Sequence, residues 1–197
     1  ETTCYAPTIM GPFHYLPFLE CNHAIISLRH HITGSLKVNN QKFQIIGDGY
    51  IEKDWGRSFP QDYLWLQSNS CKEKEASLFL SIAKIPLLAC SFQGLIMNLL
   101  VDDQQIRVAT YYGARVKDMF MREGYHYLII SQHPHTFYLK IKAGHRFELK
   151  SPQSGKMNGY VEESLNALAV LLVYKKNKKV AKFNFINCGF ELFGNWL

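Results

Sequence analysis

Short strand-like runs of apolar and polar positions recur along most of this chain, and the clearest alternates with a period of two. Tyr63 to Asn69 places large residues at Tyr63, Trp65 and Gln67, with the intervening positions on the other side. Similar short runs cover His23 to Arg29, Gly34 to Val38, Lys42 to Ile46 and Tyr50 to Trp55. They continue over Ser77 to Ile85, Phe92 to Val101, Ile106 to Tyr112, Val116 to Arg122, Tyr125 to Ser131 and Thr136 to Ile141. Alternation of this kind puts one face of each strand on a core and leaves the other free. Turn residues separate the runs: Asn39-Asn40, a bend bracketed by Gly47 and Gly49, and Asp102-Asp103. Val161 to Tyr174 suits a helix or a long strand. Its pairing through a Lys/Asn turn to Val180 to Ile186 favours the strand.

The expected fold class is therefore all-β: an antiparallel lipocalin-like (calycin-like) β-barrel or strongly bent sandwich of about 8–10 strands. Residues 1–20 carry Pro7, Pro12 and Pro17 and read as an extended lead-in without regular structure. Residues 21–197 read as one barrel domain. Ser151 to Gly159 reads as a Pro/Gly/Ser-rich loop.

Composition narrows the function classes. The chain has 197 residues, is 47% hydrophobic and is rich in aromatic side chains, which favour strands and line apolar pockets. The net charge of +6 is dispersed, apart from Lys175, Lys176, Lys178 and Lys179 around a predicted hairpin tip. There is no nucleic-acid-binding signature, so no nucleic-acid partner is expected. Five cysteines without a CxxC pair point to reduced, mostly buried thiols and a cytoplasmic setting. No apolar run reaches the ~18 residues of a membrane span, which leaves peripheral membrane contact as the alternative. The chain opens on Glu1 rather than Met, as a trimmed polypeptide would.

The chemistry is concentrated between Gly49 and Gln67. On a strand, Tyr50, Glu52 and Asp54 share one face, and Ile51, Lys53 and Trp55 share the other. Facing solvent, the phenol and two carboxylates form an ordinary polar surface. Facing an apolar interior, they are costly to bury unless paired, and burial raises a carboxyl pKa toward that of a proton donor. His133 and His135 flank Pro134 in a predicted loop, but no third metal ligand can be placed beside them. Glu162-Glu163-Ser164 is a weaker candidate for a second cavity carboxylate.

The stretch GYIEKDWGRSFP followed by YLWLQSN resembles the tocopherol cyclase family at Glu52, Lys53, Trp55, Gly56, Phe59, Pro60, Trp65, Gln67 and Asn69, with Asp54 where the family has Asn. Asn187, Glu191, Gly194 and Trp196 echo the family's terminal pattern. Tyr50, Glu52 and the earlier His23 are also similar to a motif of carotenoid hydratases and related lipocalin-like proteins. The Trp that follows that His by two residues in those enzymes is Ile25 here.

The resemblance implies cofactor-independent protonation of an isoprenoid double bond, with no metal. Capture of the cation by a phenol oxygen would close a chromanol ring; capture by water would be hydration. In this reading Glu52 donates the proton and Tyr50, His23 and Asp54 relay or orient it. Trp55, Trp65, Gln67 and Phe59 bind the substrate, a prenyl quinol or other hydrophobic isoprenoid or lipid. The rival reading is a lipocalin-like binding module without chemistry, and a third is a barrel whose motif only packs. Family members are longer, so an upstream domain is expected to pack against this one. Glu52 pointing inward beside His23 would favour catalysis. Glu52 pointing out into solvent would favour binding.

Overall fold

Two-residue turns with positive φ at both positions decide where this chain reverses. Asn39-Asn40, Asp102-Asp103, Glu123-Gly124, Ser154-Gly155 and Lys176-Asn177 all take this form. Its twist matches that of the strands it joins. The computed structural model describes residues 3–17, 19–87 and 90–195. Among these are thirteen strands and two short 3₁₀ turns, Gly11–Tyr15 and Thr110–Tyr112. None of the described helices is long and apolar enough to cross a membrane.

The first two strands, β1 (Cys21–Val38) and β2 (Gln41–Gly56), form a separate antiparallel hairpin. The remaining strands are β3 (Tyr63–Ser68), β4 (Ser70–Cys71), β5 (Ala76–Leu87), β6 (Cys90–Val101), β7 (Gln104–Ala109), β8 (Arg115–Arg122), β9 (Tyr125–Gln132), β10 (His135–Lys142), β11 (Arg146–Gln153), β12 (Lys156–Lys175) and β13 (Lys178–Phe193). They make one antiparallel sheet in the order β7-β6-β5-β3-β13-β12-β10-β9-β8, with β11 added to β12 and β4 to β13.

The all-β, antiparallel expectation holds. The closed barrel does not, because the ladder ends at β7 and β8. The sheet bends until its ends approach, and a side chain spans part of the gap. The Gln132 amide donates to the Arg107 carbonyl at 3.1 Å and accepts from the Ala109 N–H at 3.0 Å. The bent sheet encloses one apolar cluster that includes Leu66, Leu80 and Met97 from one half and Leu128, Leu139 and Leu171 from the other. That interior is filled.

Four local expectations are corrected. The bend at Gly47 and Gly49 is absent, and β2 runs through both glycines. Ser151 to Gly159 is the β11–β12 hairpin rather than a loop, because Ser154-Gly155 supplies a tight turn. The lead-in contains a 3₁₀ turn and buries Ala6, Ile9 and Met10. Of the thiols, Cys188 is buried, Cys21 and Cys71 are half-buried, and Cys4 and Cys90 are exposed.

β5 is covered on both sides. Leu78, Leu80 and Ile82 enter the filled core, whereas Phe79 packs on the opposite face with Ile9, Met10 and Tyr50. That opposite face carries the β1–β2 hairpin and the lead-in. The space left between the two sheets is the site.

Candidate functional site

Register brings the polar residues together. Carried on unbroken from Val38↔Gln41, the hairpin would set His23 opposite Gly56. Two irregularities between Ile25 and His30 instead pair His23 with Asp54 and Ile25 with Glu52. Bulges of this kind re-aim side chains along a strand. Tyr50, Glu52 and Asp54 share the face of β2 that looks toward the large sheet, as their alternation requires.

Glu52 is the hub. Tyr50 Oη donates to Glu52 Oε2 at 2.5 Å. Trp65 Nε1, reaching from β3, lies 3.1 Å from both carboxylate oxygens. His23 Nδ1 lies 3.2 Å from Glu52 Oε1 and 2.5 Å from Asp54 Oδ1. The His23 ring stacks on Phe79 with centroids 5.0 Å apart. Its Nε2 is buried without a hydrogen-bond partner among the described residues.

Burial pushes the Glu52 carboxyl above the usual range, while the charge of His23 and the donors Tyr50 and Trp65 pull it back. Burial works against a charged His23, but the hydrogen bond to Asp54 and the charge of Glu52 outweigh it and raise the imidazole. Desolvation raises the Tyr50 phenol, so it stays protonated and remains a donor.

The cavity beside this cluster has a volume of about 190 Å³. Met10, Phe13 and Leu19 of the lead-in form its roof, and His23, Cys21, Glu52 and Asp54 one wall. Phe59 and Pro60 close the end, while Tyr63, Trp65, Ile85, Ile96 and Glu191 line the large sheet. The roof is pinned where Tyr111 Oη donates to the Ile9 carbonyl at 2.7 Å and Phe13 stacks on Phe92. Most of the lining is apolar, and the polar groups gather around Glu52, Asp54 and Glu191, as in ligand sites generally.

Six of the eight residues singled out from the sequence meet here. His23, Glu52, Asp54, Phe59 and Trp65 line the cavity, and Tyr50 supports Glu52 from behind. Trp55 does not join them. It stands on the outward face of β2, 39% exposed, with Lys53 Nζ 5.6 Å from its ring. Gln67 also misses the cavity. Its amide donates to Asn69 Oδ1 at 2.9 Å, and Asn69 donates to the Gly49 carbonyl at 2.9 Å. The pair clamps β2 to the large sheet. Gly56 has the bending role its type suggests, since its φ is +151° and a Cβ there would lie 2.1 Å from the Glu20 carbonyl oxygen.

Sequence reasoning passed over Glu191 and Tyr63 as site residues. Tyr63 Oη donates to Glu191 Oε2 at 2.6 Å. The period-two run of β3 already put Tyr63 on the face of Trp65. Glu191 had only its place in the terminal pattern, because strand pairing across the chain is not written in local spacing. Glu163 is the cross-strand neighbour of Glu191, and burial raises its carboxyl.

His23, Glu52 and Asp54 are also close enough together to be considered as metal ligands. However, both Glu52 oxygens already accept from Tyr50 and Trp65, and His23 Nδ1 is committed to Asp54. The donor set fits a proton network better than a cation site.

Residues 4–85, less than half of the chain, match the model of the family described as tocopherol cyclase-like. The matched stretch runs from the lead-in through the hairpin and the Gly49–Gln67 segment into β5. Asn187, Glu191 and Gly194 fall outside it, and Trp196 lies outside the described residues as well. No curated protein and no solved structure matches the chain.

Proposed function

We propose that this chain, whose residues 4–85 match the tocopherol cyclase-like family model, cyclises a prenylated quinol or phenol by acid–base catalysis at the Glu52 cluster. One observation carries the reading: Glu52 points into an apolar cavity with His23, Tyr50 and Trp65 all within hydrogen-bonding reach. Adding a proton to a trisubstituted alkene gives a tertiary cation, and attack by the phenol oxygen closes the ring. Such a reaction needs an acid held in a dry setting, a base for the phenol proton, and a π-face for the cation. The cavity lining contains groups of all three kinds.

The volume fits the reactive end of such a substrate. A cavity of ~150 Å³ takes up a benzene-sized ring, so about 190 Å³ accommodates the aromatic head, with the reacting isoprene unit reaching toward the cavity mouth. The rest of the prenyl tail would leave by the cavity mouth. His23 Nε2, the buried nitrogen without a partner, is suited to a quinol oxygen. No organic cofactor enters the scheme.

Hydration of the same double bond is the second reading. It is favoured by Asp54, whose side chain is 31% exposed and brings solvent to the edge of the cluster. Pure binding without chemistry is the remaining rival.

The test is Glu52→Gln, assayed with a prenyl quinol by product mass and chromatography. Cyclase activity predicts an isomeric product from the parent chain and a loss of about 100-fold or more in the variant. Hydration predicts a product heavier by one water. Wild-type turnover retained in Glu52→Gln would remove Glu52 from the chemistry.

A further inference from the structure

Three carboxyls line this cavity: Asp54 sits at its more exposed rim, and the surroundings of the other two, Glu52 and Glu191, differ. Glu52 hangs from the hairpin among hydrogen-bond donors and a histidine. Glu191 rises from β13, on the large sheet, between Trp65 of β3 and Glu163 of β12. Its one hydrogen bond among the described residues is from Tyr63. The titratable groups around it are Tyr63 on β3, Glu163 on β12, Glu52 and Asp54 on β2, and Cys21 and His23 on β1. No lysine or arginine among the described residues forms an ion pair with it. Desolvation, with the negative charges of Glu163, Glu52 and Asp54, outweighs the Tyr63 hydrogen bond and pushes its carboxyl up to about 7. Burial raises both carboxyls, but Glu52 has Tyr50, Trp65 and His23 in hydrogen-bonding reach to hold a charge, whereas Glu191 has Tyr63 alone, and unlike surroundings of this kind suit unlike acid and base roles.

Resting on the proposed reaction, we infer that Glu191 is the proton donor to the alkene and Glu52 the acceptor of the phenol proton. The Glu191 O–H bond breaks as its proton and the alkene π pair form a C–H bond, leaving a tertiary cation and a Glu191 carboxylate. Tyr63 Oη stabilises that carboxylate. The phenol oxygen then forms the C–O bond and releases its proton to Glu52, whose ionised form is held by Tyr50, Trp65 and His23. Substrate and product are isomers, so no other reactant is consumed. Glu52 returns its proton to solvent through His23 and the rim residue Asp54, and Glu191 is reloaded from solvent when product leaves. Trp65 joins the two poles: it is the cross-strand partner of Glu191 and donates to Glu52, so its ring lies where the cation forms.

The experiment uses the full chain, as wild type, Glu191→Gln and Glu52→Gln. Two substrates are compared in D₂O: a prenyl quinol, and the same compound methylated on the capturing oxygen. The methyl ether cannot cyclise, so deuterium entering its prenyl chain reports protonation alone. Glu191→Gln should lose about 100-fold or more in both ring closure and deuterium uptake. Glu52→Gln should lose ring closure yet keep deuterium uptake within about threefold of wild type. Deuterium uptake that survives in Glu191→Gln and disappears in Glu52→Gln would overturn the assignment and leave the cyclase reading intact. A wild type that transforms neither compound overturns the cyclase reading, and the assignment with it.

Tyr63→Phe guards against a folding defect in the glutamine variants, since it leaves both carboxyls in place. It removes the bond that favours ionised Glu191, so the high-pH limb of the rate profile should move up. A limb that stays at the wild-type position overturns the role of Glu191.

Discussion

The indole N–H of Trp65 lies 3.1 Å from both carboxylate oxygens of Glu52, so a residue of the large sheet holds the acid–base residue of the hairpin. Trp65→Phe keeps a ring and deletes this donor. Glu52 retains Tyr50 and His23, so the fold should persist with a loss of ~1–3 kcal/mol. Urea unfolding at neutral pH measures it. An unchanged midpoint would mean that the contact contributes nothing to joining the two sheets.

Trp65 can reach Glu52 because Gly189 leaves room for it. A Cβ on Gly189 would stand 2.6 Å from the indole ring. Gly189→Val should displace the ring and cost ~1–3 kcal/mol by overpacking. The change should appear in the near-ultraviolet circular dichroism of the half-buried indole, and a spectrum identical to wild type would count against it.

Much of this arrangement is legible in the sequence, and the rest is hidden for a physical reason. Period-two alternation sorts Tyr50, Glu52 and Asp54 from Ile51, Lys53 and Trp55, and the hairpin obeys it. Turn chemistry places Asn39-Asn40 and Asp102-Asp103. Two things cannot be read locally. The irregularities that slide His23 opposite Asp54 lie in Ile25 to His30, which carries no glycine to announce them. Which face of the sheet receives the polar strand is also a tertiary fact. The alternation left open whether Glu52 faces a barrel interior or solvent; it lies instead in a cavity between the two sheets, while Leu66, Leu80 and their neighbours pack inside the bent sheet. Glu191, far away in the chain, enters the site only through the β3–β13 pairing.

The bend after β2 gives a sharper stability test. Gly56 has φ +151°, and a Cβ there would meet the Glu20 carbonyl oxygen at 2.1 Å. That carbonyl also accepts from the Arg57 N–H at 2.7 Å, which ties the end of the hairpin to the lead-in. Gly56→Ala combines backbone strain with a steric clash and should cost ~1–3 kcal/mol or more. Thermal unfolding of the variant checks this, and a melting temperature equal to wild type would contradict the geometry.

Stability should also depend on pH through Glu191. Its carboxyl is raised from 4.5 to about 7 in the folded chain. The folded state therefore holds this proton more tightly than the unfolded state, and stability falls as pH rises from about 4.5 through about 7. Raised carboxyls at Glu52 and Glu163 act in the same direction. So does the raised His23, whose contribution is present at low pH and lost as pH rises through its folded value. For Glu191 alone the full loss is at most about 3 kcal/mol, and partial exposure of the carboxyl reduces it. Glu191→Gln removes this titration and keeps the size of the side chain. Wild type should lose more unfolding free energy than Glu191→Gln between pH 5 and about pH 8, measured by urea titration at each pH. Parallel pH dependences for the two proteins would show that Glu191 is not the group that burial has raised.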